Sequence, residues 1–438
     1  MQHATLQLVA AVVSLLLALG PRAATADESR ITVDASKAAA AGIRRLPPAK
    51  RLILYTDLPP SPEIERLPGL FDQAFPQWCE YFHVAEAEHA DWQLTGFLMK
   101  DKARFVEAGL WPAGGLEFGN GYSVGYDFWL FDQKTDYYRR HLMLHEGTHS
   151  FMRTLLGSLG PPWYAEGMAE LMGTHRLDGD RLTLNYMPAG REEVPGGNRI
   201  RLIKDAVAAR HAMRLPAVLA YSDTAHRAVE PYAWCWAAAV LLDRHPAYRD
   251  RFRRLYKHVA EADFTDQFRE AFADDWQTLN EEWAVYVTGL EYGYDVPRSA
   301  IDFTPGRVCP AEGATVQVAA DHGWQNSGSR LSKGINYRLI ASGRYRVGTR
   351  PQTIESEPGG ISIRYYQGRP LGMLLAAVRP DNPPENTPSA LLISIPVGLG
   401  ATIQPEAAGT LFFKINHSAA ELRDNEGTLT VRVRAADD

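Results

Sequence analysis

The sequence predicts an α+β fold, with a mixed part of helices and one small sheet followed by an all-β sandwich. Segments typical of strands and helices alternate between residues 50 and 131, which indicates a small mixed sheet. From residue 200 to about 290, aromatic residues recur at helical spacing, which we interpret as packing. From Thr304 onward, β-branched residues, Gly and Pro form seven or eight short strands separated by turn signals, as in a β-sandwich.

The first residues predict a secretory signal peptide. Residues 6–19 form an apolar run too short to span a bilayer comfortably, and residues 24–26 (Ala-Thr-Ala) form a small-residue cleavage site. We therefore expect residues 1–26 to be removed and the protein to be secreted or periplasmic. The alternative is an uncleaved anchor, because the first residues lack Lys and Arg. No later stretch is long and apolar enough to predict a transmembrane segment.

Composition excludes some classes of protein. The 438-residue chain has a net charge of −6 and no basic block, so nucleic acid is not an expected partner. Its three cysteines, Cys79, Cys235 and Cys309, are too few and odd in number for a disulfide framework. Cys235 lies in an apolar run, which favours a buried thiol over a nucleophile.

The sequence divides into two domains after the signal. The predicted strands of the first sheet are residues 51–58, 91–99 and 121–131, and the helices between them are 64–82 and 102–110. The first domain covers residues 27–299, with a sheet-containing part (50–135), a pair of central helices (136–175) and a helical part (200–295). The second domain, the sandwich, covers residues 304–438.

The central stretch of the first domain is His145-Glu146-Gly147-Thr148-His149. On a helix, histidines four residues apart project from the same face, one turn apart. Two neutral imidazoles so placed can bind one zinc ion at about 2.0–2.1 Å. Glu146 can reach a metal-bound water, as a general base must. The alternative is a core helix with a chance histidine pair.

A second helix is predicted in the run PPWYAEGMAE. It places Glu166 and Glu170 on one face, again four residues apart. Asp136 is the expected cap of the first helix, and Gly157 is among the residues expected to end it. Two helices joined by a short loop pack antiparallel and can bring Glu166 to the histidines. Three protein ligands and one position left for water describe a catalytic zinc site.

HEGTH followed by PPWYAEGMAE resembles the gluzincin branch of zinc metallopeptidases, which includes thermolysin and the aminopeptidase N family. The closest resemblance is to secreted bacterial members of uncharacterised function. It implies a thermolysin/gluzincin-like domain in which His145, His149 and Glu166 bind zinc and Glu146 is catalytic. It also implies that Glu170 orients a histidine through the free ring nitrogen.

The same resemblance implies two further features. A small sheet precedes the active helix in gluzincins, and its edge strand, here within residues 119–131, pairs with an extended substrate. An ordinary strand is the equal alternative. The exopeptidase marker of the aminopeptidase family, a GxMxN-type run, is missing, and the run around Glu117 has unconvincing spacing. The sequence therefore favours an endopeptidase over an aminopeptidase.

Peptide hydrolysis also builds an oxyanion that needs a hydrogen-bond donor. Aminopeptidase-like gluzincins use a tyrosine from the helical part, and Tyr232 has the matching placement as a catalytic residue. His226 is the competing donor, because thermolysin-type enzymes use a histidine. The alternative for Tyr232 is a core tyrosine. His175 is either a further site residue or a surface residue.

The second domain resembles the PA-IL-type galactose-binding lectins, calcium-dependent jelly-roll sandwiches. The matching stretches are INYRLIASGRYRVG and GTLFFKINHSAAELRDNEGTLTVRV. The resemblance implies calcium ligands at Asp424, Asn425 and, through its backbone carbonyl, Glu421. Two departures leave calcium and sugar binding open. His417 stands at an aspartate position although calcium prefers oxygen donors, and residues 357–360 (Glu-Pro-Gly-Gly) replace a sugar-contacting stretch.

Taken together, the sequence predicts a secreted zinc-dependent peptidase. Its expected partners are a peptide or protein substrate, glycosylated if the lectin-like domain targets it, and a glycan. Zn²⁺ is the expected cofactor, with Ca²⁺ a second one if the lectin loop is functional. The alternative is a non-catalytic cell-surface or glycan-binding protein on a metallopeptidase scaffold. The presence of every residue that the chemistry needs favours the enzyme.

Overall fold

The structure is a computed structural model, and it describes residues 30–112, 118–222, 230–348, 354–384 and 387–436. The signal peptide predicted for residues 1–26 lies outside these ranges, as do Glu117 and His226. Within the described ranges, no helix combines the length and the apolar character needed to cross a membrane. The fold is mixed α+β, with a β-rich C-terminal region.

A five-stranded sheet lies in the N-terminal part. Its strands are β1 (Arg44–Arg45), β2 (Leu52–Thr56), β3 (Leu94–Met99), β4 (Gly121–Val124) and β5 (Asp127–Phe131). Their order is β1-β2-β3-β5-β4; β2, β3 and β5 are parallel, and the two outer strands are antiparallel to their neighbours. The helices of this part are α1 (Ala35–Ala40), α2 (Pro62–Glu65), α3 (Leu67–Phe82) and α4 (Lys102–Glu107).

One strand predicted for this sheet is wrong in detail. The run 121–131 is a hairpin of two strands, because Gly125 adopts φ 53° in the turn, a left-handed conformation that glycine tolerates without a steric cost. Only its first strand, β4, lies at the edge of the sheet.

Two helices follow the sheet, α5 (Asp136–Phe151) and α6 (Pro162–Gly173). Helix α5 continues as a π-helical turn over Met152–Leu156 and ends at Gly157, where φ is 84°. The expected cap was wrong by one residue. Thr135 is extended and accepts a hydrogen bond from the backbone N–H of Tyr138, so Asp136 lies inside the first turn.

Among the described residues, the remaining strands and α-helices of the first part are a hairpin and seven helices. They are β6 (Arg176–Asp178), β7 (Arg181–Thr183), α7 (Arg199–Ala208), α8 (Leu215–Leu219), α9 (Glu230–Arg244), α10 (Arg249–Arg254), α11 (Phe264–Ala271), α12 (Trp276–Gly289) and α13 (Val296–Ser299). Most of their aromatic residues are fully buried, so the packing interpretation is confirmed. The thiol of Cys235 is buried, and all three cysteines are free.

Two glycines show how closely the central helices pack. A Cβ atom on Gly147 would lie 2.5 Å from the ring of Phe71 in α3. A Cβ atom on Gly167 would lie 3.0 Å from the backbone oxygen of Cys235 in α9. Helices α5 and α6 are therefore held between α3 and α9 at distances that a side chain would prevent.

The described part of the C-terminal region contains thirteen strands. They are β8 (Arg307–Val308), β9 (Ala314–Ala319), β10 (Gln325–Leu331), β11 (Tyr337–Ser342), β12 (Tyr345–Val347), β13 (Ile354–Ser356), β14 (Ile361–Tyr366), β15 (Arg369–Leu371), β16 (Leu374–Pro380), β17 (Ile395–Pro396), β18 (Gly400–Ile403), β19 (Gly409–Ile415) and β20 (Thr428–Ala435). Two sheets, ordered β17-β16-β19-β10-β8 and β18-β11-β20-β9, share one apolar core. A predicted strand at 391–398 is instead a 3₁₀ turn, Ala390–Leu392, followed by the short β17.

The β-rich region packs directly on the helical part. The carboxylate of Glu281 in α12 accepts hydrogen bonds from Nε of Arg379 (2.7 Å) and from the hydroxyl of Ser389 (2.6 Å). A second contact lies at the loop after β19, where the hydroxyl of Ser418 donates to Glu291 at 2.5 Å. The two parts therefore meet through buried polar contacts as well as apolar packing.

Candidate metal centre

Helix α5 places His145 and His149 on one face, as their spacing predicts. Their Nε2 atoms lie 3.1 Å apart, and both side chains are more than nine-tenths buried. Either nitrogen can donate a hydrogen bond to the other, depending on the tautomers, and two neutral nitrogens this close can also bind the same metal ion.

Helix α6 brings Glu166 to the same point. Its Oε2 lies 3.3 Å from Nε2 of His145 and 3.5 Å from Nε2 of His149. That oxygen is buried and, among the described residues, has no hydrogen bond of good geometry. Three potential ligand atoms therefore converge on one small space, and among the described residues the two histidines are the ion-pair partners of Oε2 of Glu166.

The triangle formed by these three atoms has the size that a small metal ion requires. In a tetrahedral site with ligand bonds of about 2.0–2.1 Å, two ligand atoms lie about 3.3–3.4 Å apart. The observed distances of 3.1, 3.3 and 3.5 Å bracket this value. The buried His/His/Glu group is therefore positioned to bind a metal ion.

The ionisable residues of this group shift each other's pKa values. Burial alone would raise the pKa of Glu166, but His149 and His145 outweigh this effect and lower the pKa to about 2. Burial alone would lower the pKa of His145, but the carboxylates of Glu166 and Glu170 raise it well above its usual value. The carboxylate of Glu166 and the ring of His145 thus favour each other's charged forms, and a bound metal cation would likewise favour the charged carboxylate.

Glu170 lies behind His145, on the side away from the proposed ion. Its Oε1 is 3.3 Å from Nδ1 of His145, although that nitrogen has no hydrogen bond of good geometry among the described residues. Arg199 holds both carboxylate oxygens with two hydrogen bonds of 2.7 Å. Burial would raise the pKa of Glu170, but Arg199 lowers it well below its usual value, so the carboxylate stays charged.

The sequence analysis missed two residues of this cluster. His141 lies four residues before His145, and its Nε2 is 3.4 Å from Glu170, so the four-residue spacing was a usable signal. Arg199 carries no such signal, because it comes from the first turn of α7, 29 residues after Glu170. His141, His145 and Glu170 also converge, but Arg199 already occupies the carboxylate of Glu170.

Glu146 lies against the edge strand of the N-terminal sheet. A Cβ atom on Gly121 in β4 would be 2.5 Å from its Oε1, so only glycine allows the strand to approach this closely. The side chain of Glu146 is 6% exposed. Within the described ranges, no hydrogen bond or ion pair engages its carboxylate, which is therefore available to a molecule bound between β4 and α5.

Tyr232 lies near His145, in the first turn of α9. Its ring centroid is 5.9 Å from that of His145, and the guanidinium carbon of Arg199 is 5.8 Å from its ring. Burial, reinforced by the nearby carboxylates of Glu166 and Glu146, raises the pKa of Tyr232, so its phenol stays protonated.

The histidine whose role was open, His175, is a core residue rather than a surface residue. It is 1% exposed and stacks on Tyr137 with ring centroids 4.6 Å apart. Its Nδ1 lies 2.8 Å from the backbone oxygen of Gly173, and Arg140 donates to its Nε2. Burial lowers the pKa of His175 to about 3, so the ring is neutral.

The loop with the predicted calcium ligands makes protein contacts instead of a convergent group. The side-chain oxygen of Asn425 accepts a hydrogen bond from the N–H of Gly348, and its amide donates to Ala320. The carboxylate of Glu421 pairs with Arg364 at 3.0 Å. Asp424 is half-buried in the same loop. These contacts need no cation, and calcium stays a prediction here.

His417, which stands at the predicted aspartate position, is buried in the same loop. Its Nδ1 lies 3.3 Å from the backbone oxygen of Ser418, and burial lowers its pKa. A neutral buried imidazole beside a backbone carbonyl is a packing residue, which agrees with the poor fit of nitrogen to calcium.

Comparisons with known proteins give distant likenesses only. Neither a family model nor a curated protein sequence matches the chain. Among solved structures, the N-terminal domain of EclA, described as a PllA-like lectin, is 23% identical over 28% of this chain and 95% of that chain, with a TM-score of 0.22. IMPa from Pseudomonas aeruginosa, solved in complex with an O-glycopeptide, is 15% identical over 58% of this chain and 25% of that chain, with a TM-score of 0.17. TM-scores this low do not establish a shared fold.

Proposed function

We propose that this chain is a secreted zinc metallopeptidase of the gluzincin type. The observation that carries the proposal is the convergence of Nε2 of His145, Nε2 of His149 and Oε2 of Glu166 at mutual distances of 3.1–3.5 Å. Two imidazoles and one carboxylate are the donor set of a catalytic zinc site, in which a fourth position is left for water or substrate. The lack of a hydrogen-bond partner for Oε2 within the described residues supports the same ion.

Zinc, when bound, would act as a Lewis acid toward a peptide carbonyl and would lower the pKa of a water molecule towards about 7. Glu146 is the base that this chain contributes. Its carboxylate would take a proton from the attacking water and return that proton to the leaving amine nitrogen. The side chain fits this role because it lies beside His145 and no described residue engages it.

Two further residues position the reaction in this proposal. The phenol of Tyr232, kept protonated by its surroundings, would donate a hydrogen bond to the carbonyl oxygen as negative charge develops on it. Glu170, fixed by Arg199, would keep the ring of His145 in its metal-binding orientation.

Strand β4 would bind the substrate backbone. It lies at the edge of the N-terminal sheet, and its Gly121 lies against Glu146. An extended peptide that pairs with this edge would pass its backbone directly beside the proposed base. An edge that binds by main-chain hydrogen bonds accepts internal peptide segments, which favours an endopeptidase.

The proposal is tested by digesting an unbiased peptide library with the mature protein and with Glu146→Gln. We expect cleavage by the wild type and a loss of at least about a hundredfold in the variant, at equal zinc content by mass spectrometry. Glu107→Gln, an exposed change at the end of α4, is the matched control and should cleave normally. If the wild type holds one zinc per chain and cleaves nothing, the peptidase proposal is wrong.

A further inference from the structure

A cavity of about 350 Å³ lies directly beside the metal centre. Its walls come from the end of α5, from α6 and from the start of α9, and they include Arg153, Ala165, Glu166, Tyr221, Pro231 and Tyr232. Because it shares Glu166 and Tyr232 with the proposed active site, a group that enters it belongs to a substrate residue next to the reacting bond. The volume is at the lower end for binding pockets, which suits a single side chain.

The backbone around Arg153 is anchored by its neighbours, and the residue lines this cavity. It lies four residues after His149, in the π-helical turn Met152–Leu156, and such turns are frequent at functional sites. The side chain of Met152 is fully buried. The hydroxyl of Thr154 accepts a hydrogen bond from the indole of Trp92 at 2.9 Å. The backbone on both sides of Arg153 is thus anchored in the core.

The guanidinium of Arg153 is a half-buried cation, and no hydrogen bond or ion pair engages it within the described ranges. The other charged group in the cavity wall, Glu166, directs its Oε2 at the histidines. A partly desolvated guanidinium with five unused donors favours a carboxylate, which it can hold with two parallel hydrogen bonds.

We propose that this cavity is the specificity subsite of the enzyme and that Arg153 selects a carboxylate on the substrate there. That the protein cleaves such substrates rests on the proposed function, whereas the binding of their carboxylate at Arg153 does not. The carboxylate comes either from an Asp or Glu side chain or from a free C-terminus. These two sources share the same chemistry, and the experiment separates them.

Binding is measured by calorimetry with the Glu146→Gln protein loaded with zinc. The probes are N-acetyl-glutamate amide, N-acetyl-glutamine amide and N-acetyl-glutamine with a free C-terminus. We expect one of the two carboxylate probes to bind roughly tenfold more tightly than the uncharged probe. Adding Arg153→Gln should remove that preference, and adding Arg254→Gln, an exposed arginine at the end of α10, should not.

A carboxylate that binds the zinc ion instead would keep its preference in the Arg153→Gln protein, and that result would overturn the proposal. Arg153→Lys keeps the charge without the planar fork and should retain part of the preference. Thermal unfolding of each variant shows whether it is folded.

Cleavage gives a second readout in the active enzyme. A peptide with Glu beside the scissile bond should be cleaved by the wild type with a higher kcat/KM than the same peptide with Gln. In the Arg153→Glu variant this preference should disappear, and a peptide with Lys at that position should be cleaved with a higher kcat/KM than the Gln peptide. If the ratio of kcat/KM between the Glu and Gln peptides is the same in Arg153→Glu as in the wild type, the proposed subsite is wrong. If the binding preference depends on Arg153 and no peptide is cleaved, the proposed function fails and the carboxylate site stands.

Discussion

Two stretches of this chain carry predicted ion ligands, and their side chains have different surroundings. In α5 and α6, three ligand atoms converge, and Oε2 of Glu166 has no hydrogen bond of good geometry among the described residues. In the loop after β19, the amide of Asn425 is hydrogen-bonded through both its oxygen and its nitrogen, and Glu421 pairs with Arg364. Predicted ion ligands thus form a convergent group in one place and lie in a hydrogen-bonded loop in the other.

The difference follows from how each stretch is packed. Helix α5 is held against α3 at Gly147, so its histidines have little freedom to turn towards other partners. The loop after β19 instead lies at the contact between the two parts of the chain. Its Ser418 donates to Glu291, and the backbone oxygen of Ala419 accepts a hydrogen bond from the N–H of Asp295. Ser418 and Ala419 thus contact the first part of the chain, whereas Asn425 and Glu421 are bonded within the β-rich region itself.

The largest expected effect is on zinc affinity, which should depend on the residues of α5 and α6 and not on those of the sandwich loop. Glu166→Gln removes the anionic ligand, so zinc affinity should fall by more than about a hundredfold, beyond the usual effect of outer-shell changes. Glu421→Gln removes a carboxylate from the sandwich loop and should leave zinc affinity unchanged. Competition with a chromogenic chelator measures both. Equal zinc affinity in the wild type and Glu166→Gln would show that Glu166 is not a ligand.

A second prediction compares two ion pairs. Arg199→Met leaves the fully buried carboxylate of Glu170 without its partner, which should cost about 3–5 kcal/mol of unfolding free energy. Arg364→Met breaks the exposed pair with Glu421 and should cost about 0–1 kcal/mol. Urea unfolding of the metal-free proteins at pH 7 gives both values.

The difference in unfolding free energy between the wild type and Arg199→Met should change with pH in one direction. Arg199 depresses the pKa of Glu170 below its usual value of 4.5, so the pair stabilises the protein fully above that pH and loses its effect as the pH falls further. The gap between the wild type and Arg199→Met should therefore narrow on acidification below about 4.5. A gap that widens there would mean that Arg199 acts through some group other than the carboxylate of Glu170.

The site was predictable wherever helix periodicity alone decides which residues face each other. His145 and His149 lie within one helix, and Glu166 follows on the next helix after a short loop, so spacing was enough to bring them together. Arg199 was not predictable, because its contact with Glu170 depends on how α7 packs in the helical part, which no local pattern encodes.

The same limit applies to the fold. The apolar strands β2 and β3 were predicted, whereas β10 was missed because its sequence QNSGSRL is polar and lacks a clear period-two pattern. This strand is nonetheless interior to its sheet, paired with both β8 and β19. Its place is set by these two partners rather than by its own propensity.

The smallest expected effect tests the sandwich loop by itself. Asn425→Ala removes the acceptor of the Gly348 N–H and the donor to the Ala320 carbonyl, and Asn425 is buried. Leaving such groups unpaired should cost about 1–3 kcal/mol. Asp424→Asn, at a residue without a hydrogen bond or ion pair among those described, should stay within about 0.5 kcal/mol of the wild type. Chemical unfolding with a chelator present measures both changes.

Repeating these unfolding curves in the presence of calcium shows whether the sandwich loop also binds an ion. A ligand at a hundred times its Kd stabilises the folded state by about 2.7 kcal/mol. If the loop is held by protein contacts alone, calcium should leave the wild-type curve unchanged, and the cost of Asn425→Ala should be the same with and without it. If calcium stabilises the wild type and Asp424→Asn removes that gain, the loop is a second ion site. In that case, side-chain hydrogen bonds such as those of Asn425 would be compatible with ion binding by the same loop.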